Sequence, residues 1–106
     1  MYKAIIQLSR ADGYSFDEFI DYWETEHAPL AAELPNLQRY AICPVADPEK
    51  APHDGVAELV FETQEALFAA LDSETFGKVQ QDAAEFTETD ETVFFVVEER
   101  VQVDRS

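Results

Sequence analysis

Five consecutive apolar residues, Val93-Phe94-Phe95-Val96-Val97, limit the folds that this chain can adopt. Valine and phenylalanine favour an extended strand over a helix. Successive side chains of a strand point to opposite faces, so a strand over about 92–101 is apolar on both. A sheet with one solvated face shows alternating apolar and polar residues instead. We therefore expect a central strand in a sheet that is covered on both faces.

The order of the other segments defines the fold class. Ser15 followed by Glu18 is a capping box, which places the start of a helix at Phe16. The order β-α-β-β-α-β is the ferredoxin-like signature, and it predicts an α+β fold with a four-stranded antiparallel sheet and helices on one face. We expect one domain over residues 1–106. The predicted segments are strand 2–9, helix 16–27, strands 37–45 and 56–62, two helical segments within 64–86, and strand 92–101.

The second face of this sheet has no cover within the chain. The helices occupy one face, and no other segment of the sequence is left for the second one. A second copy of the chain is the simplest cover, because contiguous apolar patches are uncommon on monomers. Two facing sheets would enclose a barrel-like interior that suits a ligand. The alternative is a monomer in which the sheet face opposite the helices is partly exposed to solvent.

The net charge of −16 excludes several classes of partner. Lysine occurs only at positions 3, 50 and 78, so the chain lacks the clustered cations that binding to nucleic acid or to an anionic membrane requires. We interpret the acidic surface as halophilic, with an ordinary acidic protein as the alternative. The single Cys43 forms no intrachain disulfide, which fits the cytoplasm.

His27 extends the apolar stripe of the first predicted helix. It follows Trp23 by four residues, so both side chains lie on the face that packs on the core. Pro29 lacks an N–H and should break this helix just beyond the imidazole, and a short helical continuation to Glu33 should follow. The sequence thus places one titratable group in an apolar pocket. A buried histidine that only satisfies a hydrogen bond is the alternative.

The segment Tyr22-Trp23, with Glu26-His27-Ala28-Pro29-Leu30 after it, resembles the EthD family, whose name comes from ethyl tert-butyl ether degradation. The segment 54–61 resembles the family's third strand, and the resemblance covers nearly the whole chain. It implies a homodimer of the dimeric α+β barrel type and a small hydrophobic, aromatic or lactone ligand. By the same resemblance His27 moves protons without a bound cofactor, and His53 matches a second histidine of some members.

Three aromatic residues are candidates for binding a substrate, either by stacking or by hydrogen bonding: Tyr22, Trp23 and Tyr40. Each of them is equally a packing residue. Asp82 and Glu58 are candidates for orienting a histidine, or else they are solvated charges among the 23 carboxylates.

Several kinds of site lack their sequence signature. Glycine occurs only at positions 13, 55 and 77, so there is no Gly-rich phosphate loop. Two separated histidines and one cysteine make no recognisable metal site, and we predict neither a metal nor another cofactor. Three functions stay open: a cofactor-independent oxidoreductase, isomerase or cyclase; a ligand-binding module without catalysis; and a purely structural dimer.

Overall fold

The computed structural model describes all residues 1–106. It contains one four-stranded antiparallel sheet with the strand order β2-β3-β1-β4. A helical layer covers one face of the sheet, which confirms the predicted α+β, ferredoxin-like class. The elements are β1 (Tyr2–Leu8), α1 (Phe16–Tyr22), a π-helical turn (Trp23–His27), α2 (Ala28–Ala31), β2 (Arg39–Pro44), β3 (Gly55–Phe61), α3 (Gln64–Leu71), α4 (Glu74–Phe86), a short 3-10 turn (Thr89–Glu91) and β4 (Val93–Glu98).

The core lies between the helices and the two central strands. Alternate residues of β1 and β3 point toward the helices, and Ala4, Ala57, Leu59 and Phe61 on that face are at most 4% exposed. These residues pack against apolar side chains of α3 and α4, such as Leu67. Burial of this face therefore fixes the register of the central strands.

The helices begin where the sequence indicates. Ser15 accepts a hydrogen bond from the Glu18 backbone N–H, and the Glu18 carboxylate accepts one from the Ser15 N–H, which completes the capping box. Thr63 and Ser73 each cap a helix, α3 and α4 respectively, by accepting from a backbone N–H of its first turn. None of the helices is long and apolar enough to cross a membrane.

The position of β4 differs from the expectation. The apolar run Val93–Val97 forms an edge strand beside β1, not a central one. The crossover connections place β1 and β3 in the centre of the sheet, and the last strand can then pair only with the free side of β1. Val93, Phe94 and Phe95 are consequently 41% exposed in a single copy. The strand covers Val93–Glu98 and not the predicted 92–101, because its partner β1 begins at Tyr2, which pairs with Glu98.

Candidate functional site

A π-helical turn carries His27 into the helical layer. The Ala28 N–H donates to the Trp23 carbonyl, five residues back, so the turn is one residue wider than an α-helical turn. The chain continues from this turn into the predicted short helix, α2, which ends at Ala31 and not at Glu33. No break separates the two, because Pro29 lies in the first turn of α2, where a missing N–H is tolerated. His27 is only 5% exposed and points inward, as the stripe predicts.

Asp82 holds one edge of the imidazole. The distance from His27 Nδ1 to Asp82 Oδ2 is 2.7 Å, and the Tyr22 hydroxyl donates to Asp82 Oδ1 at 2.8 Å. A carboxylate can only accept, so Nδ1 carries the proton and Nε2 is the nitrogen left for a ligand. The hydrogen bond to Asp82 is also the main reason that the pKa of Tyr22 rises to about 12, so its hydroxyl remains a donor.

The Phe86 ring packs against the imidazole and shields it from water. The two ring centroids are 4.9 Å apart, and Phe86 is fully buried. Phe86 also lies 4.8 Å from the Tyr22 ring and 5.4 Å from the Phe19 ring, measured between centroids. One aromatic cluster from α1 and α4 therefore packs against the His27 side of this contact, while the Asp82 carboxylate stays partly exposed.

His27 lines a cavity of about 370 Å³ between the helices and the sheet. This volume falls in the range of sites for small organic molecules, roughly 300–1,000 Å³. The exposed residues Gln80 and Thr89 lie where the cavity meets solvent. Most of the wall is apolar, and its larger aliphatic and phenyl side chains are those of Ile6, Leu8, Leu59, Leu71, Phe76, Val79 and Phe94.

Trp23 and Tyr40 add polar atoms to this apolar wall. Trp23 is fully buried, and its indole Nε1 has no hydrogen-bond partner. Burial raises the pKa of Tyr40 to about 12, and the nearby indole N–H of Trp23 opposes that rise. The indole nitrogen itself is inaccessible, so the imidazole of His27 and the phenol of Tyr40 are the polar ring groups of this part of the wall.

The other predicted site residues lie outside the cavity wall. Tyr22 stands behind His27 on the far side of Asp82 and acts on the imidazole only through that carboxylate. His53 lies in the loop between β2 and β3, where its Nδ1 is 3.2 Å from the Ser9 hydroxyl. Glu58, a candidate partner for a histidine, pairs instead with Lys3 at 2.9 Å.

The site also contains residues that the sequence does not single out for a role at His27. The sequence indicates Phe86 only as part of the apolar face of a helix, and its contact with the imidazole joins elements far apart in the chain. Gly55 is in close contact with the Trp23 ring, and no local sequence pattern predicts that contact. The structure contains no cluster of three or more potential metal ligands.

Solved structures of similar shape support the fold. An ethyl tert-butyl ether degradation family protein from Bacillus halodurans is 20% identical, with a TM-score of 0.77, over 94% of this chain and 100% of that one. A dimeric ferredoxin-like protein of unknown function from Thermobifida fusca is 16% identical, with a TM-score of 0.71, over 91% and 88% of the two chains.

A third structure is that of SnoaB from Streptomyces nogalater, a cofactor-independent oxygenase. It is 15% identical, with a TM-score of 0.69, over 96% of this chain and 95% of that one. At such identities the likeness shows the fold alone. No curated protein matches the chain.

The sequence itself matches a known family. The EthD domain matches residues 11–90, a range that runs from the turn before α1 to the 3-10 turn before β4. This range includes His27 and its partners Asp82 and Tyr22, as well as the aromatic cluster around them. The chain belongs to the EthD family.

Proposed function

We propose that this protein binds a small apolar organic molecule in the cavity and that His27 moves a proton to or from it without a bound cofactor. One observation carries the proposal: a buried imidazole lines an apolar cavity while a carboxylate holds its Nδ1. Only Nε2 is then free to act on a bound molecule. The proposal joins ligand binding and proton transfer in a single site.

The contact with Asp82 suits His27 to act as a base. Asp82 fixes the tautomer with the proton on Nδ1, so Nε2 presents a lone pair to the ligand. When Nε2 takes a proton, the imidazolium that forms is stabilised by the same carboxylate. Tyr22 donates to the other oxygen of Asp82 and thereby keeps the carboxylate in place. Such a base requires no metal and no organic cofactor.

The relatives support this class of chemistry without naming the reaction. SnoaB is a cofactor-independent oxygenase, and a base that removes a proton from carbon is a natural first step for such a reaction. The same step begins an isomerisation or a cyclisation. We therefore propose proton transfer as the shared step and leave open whether this chain is an oxidoreductase, an isomerase or a cyclase.

We further propose that the protein acts as a homodimer in the cytoplasm, at high salt concentration. The sheet face opposite the helices carries Ile5, Val56, Phe95 and Val97 beside the polar residues Lys3, Gln7 and Glu58, and the helical layer leaves it uncovered. Similar structures from Bacteroides fragilis and Thermobifida fusca are dimeric. The net charge of −16 supports the high-salt setting, because salt screens the repulsion between two acidic copies.

The proton-transfer step can be tested with 5-nitrobenzisoxazole, a small aromatic compound whose ring opens when a base removes the proton on its C3. The C–H electrons form the nitrile, the N–O bond breaks, and the absorbance of the phenolate product reports the rate. We expect catalysis by the wild-type protein and a loss of roughly 10²–10⁴-fold in kcat/KM for His27→Gln. Trp23, the only tryptophan, reports binding by its fluorescence.

His53→Gln is the matched control, because it removes the other histidine, which lies outside the cavity. We expect this variant to retain the wild-type rate, and His27→Gln to bind the compound with unchanged affinity. Binding without any catalysis by the wild type would instead support the ligand-binding module, which the largely apolar wall also favours. Equal rates in the wild type and His27→Gln would eliminate His27 as the base.

A further inference from the structure

The Tyr40 hydroxyl is a polar group of the cavity wall to which the proposed function assigns no role. Tyr40 projects from the helix-facing side of β2, opposite Leu59 of β3. Its ring packs against both buried clusters of the core, the one that contains Leu59 and the one that contains Trp23. Packing on both sides holds the ring in place, so the position of the hydroxyl is set before a ligand binds.

The indole of Trp23 determines where the Tyr40 hydrogen can point. The indole N–H is directed at the Tyr40 oxygen, and although the contact falls short of hydrogen-bond geometry, it opposes the rise that burial causes in the pKa of Tyr40. A hydroxyl whose oxygen faces a donor turns its own hydrogen away from that donor. No protein group accepts this hydrogen, which is therefore available to a molecule in the cavity.

The Tyr40 hydroxyl and the base lie about one helical turn apart. Trp23 and His27 are the first and last residues of the π-helical turn, and side chains at this spacing are neighbours, with Cβ atoms about 5–6 Å apart. The hydroxyl lies at the indole, and the imidazole lines the same cavity. One small molecule can therefore contact Nε2 of His27 and the Tyr40 hydroxyl together.

We propose that Tyr40 is a second catalytic residue, which donates a hydrogen bond to the ligand atom that becomes negative when His27 removes a proton. The inference rests on the proposed function and adds a residue to it. The electron pair of the broken C–H bond moves through the ligand to that atom, where the hydroxyl stabilises the developing charge. Nε2 of His27 holds the removed proton and Tyr40 keeps its own, so no oxidant or reductant is required.

The surroundings of Tyr40 suit this role. Charge that develops beside an apolar wall is poorly screened by water, so one fixed donor stabilises it strongly. Burial raises the pKa of Tyr40 to about 12, so at neutral pH the phenol is uncharged and attracts an anion. As the phenol hydrogen moves toward the ligand, the Tyr40 oxygen becomes more negative, and the indole N–H of Trp23 stabilises it.

Two substrates that differ in their leaving group test this assignment. In benzisoxazole and in 5-nitrobenzisoxazole a base removes the same C3 proton, and the N–O bond breaks to leave a phenolate oxygen. The nitro group stabilises that charge within the molecule, so benzisoxazole depends more on a donor from the protein. We expect Tyr40→Phe to lower kcat/KM by about 10²-fold for benzisoxazole, the usual effect of losing one such donor, and by about tenfold or less for the nitro compound. The absorbance of each product gives the rates.

The ratio of the two kcat/KM values is the decisive quantity, because a partly unfolded variant loses the same fraction of both. Tyr14→Phe removes a hydroxyl outside the cavity wall and should keep the wild-type ratio. His27→Gln removes the base and should lower both values by a similar factor. A wild-type ratio in Tyr40→Phe would overturn the role of Tyr40 while the proposed function stands. If the wild type converts neither substrate, the proposed function fails, and the inference with it.

Discussion

At the scale of single residues, Asp82 has the most demanding position in the site. Its two oxygens serve two partners, with Oδ2 at His27 and Oδ1 at Tyr22. The carboxylate is still partly exposed, so its charge is hydrated and also hydrogen-bonded. This arrangement permits a charged group beside a buried imidazole without the penalty of an isolated buried ion. Tyr22 is therefore a positioning residue that acts through Asp82.

Replacing Asp82 with asparagine should uncouple binding from proton transfer. The amide preserves the size of the side chain but removes the charge that favours an imidazolium and fixes the Nδ1–H tautomer. We expect Asp82→Asn to lower kcat/KM for 5-nitrobenzisoxazole by roughly 10²–10⁴-fold, through kcat and with KM nearly unchanged. The change in absorbance of the product gives both constants.

Tyr22→Phe is the variant to compare with Asp82→Asn. It removes the hydroxyl that donates to Asp82 but leaves the carboxylate beside His27. We expect a smaller loss of roughly tenfold, since a hydrogen bond to a charged group contributes about 1.5–3 kcal/mol and water can replace part of it at this partly exposed carboxylate. A wild-type rate in Asp82→Asn would show that the carboxylate only packs.

The sequence predicts some of these residues better than others. His27 is predictable because its spacing from Trp23 places it on a buried face. The pairing of His27 with Asp82 is a weaker prediction, since 23 carboxylates are equal candidates until the helices are docked. His53 has no periodic context in its loop, and the structure places it away from the cavity wall.

At the scale of secondary-structure elements, strand and helix order is predictable, whereas local helical geometry is not. Capping residues and period-2 burial define the starts of α1, α3 and α4 and the inner face of β1. The sequence predicts the short helix that follows Pro29, but it predicts neither the π-helical turn at Trp23–His27 nor the unbroken join between that turn and α2.

The contact between the π-helical turn and β3 leads to a prediction at Gly55. A methyl group there would collide with the Trp23 ring, and neither the strand backbone nor a fully buried indole can move freely. We expect Gly55→Ala to lower the free energy of unfolding by about 1–3 kcal/mol, the usual cost of overpacking. Urea denaturation measures this change, and the fluorescence maximum of Trp23 should shift with the displaced ring.

Gly77→Ala is the matched control. Gly77 lies on the exposed side of α4, where an added Cβ meets no atom within 4 Å. Alanine has the higher helix propensity, so this variant should gain about 0.5–1 kcal/mol in free energy of unfolding. Equal stability of Gly55→Ala and the wild type would mean that the indole has room to move, which would contradict the close contact of Trp23 with β3.

At the scale of the whole molecule, the amino-acid pattern predicts an uncovered face with apolar residues on it, and the structure adds that Lys3 and Glu58 form an ion pair among them. Alternation along a strand is enough to assign Phe95 and Val97 to the same side of the sheet. The edge position of β4 does not follow from the pattern, because strand order depends on the crossover connections and not on the apolarity of one strand. β4 therefore exposes both an unpaired backbone edge and apolar side chains. Either feature favours association with a second molecule, because unpaired edges pair with other strands and exposed apolar patches bind partners.

Association of two copies must overcome their charge, and this gives a prediction about salt. Each copy carries −16, and screening shortens the reach of that repulsion from about 10 Å at 0.1 M salt to about 3 Å at 1 M. We expect analytical ultracentrifugation to show a dimer in molar salt whose Kd rises as salt is lowered.

Phe95→Glu should weaken the dimer by roughly 30-fold or more at every salt concentration, because it places a charge on the uncovered face. Phe68→Glu, on the helical side, adds the same charge to a residue that is 49% exposed and should leave the Kd within about threefold of the wild type, because a rim or surface charge contributes little. A monomer at all salt concentrations would contradict both the dimer and the interpretation of the uncovered face, whereas a dimer that Phe68→Glu disrupts and Phe95→Glu does not would move the interface to the helices.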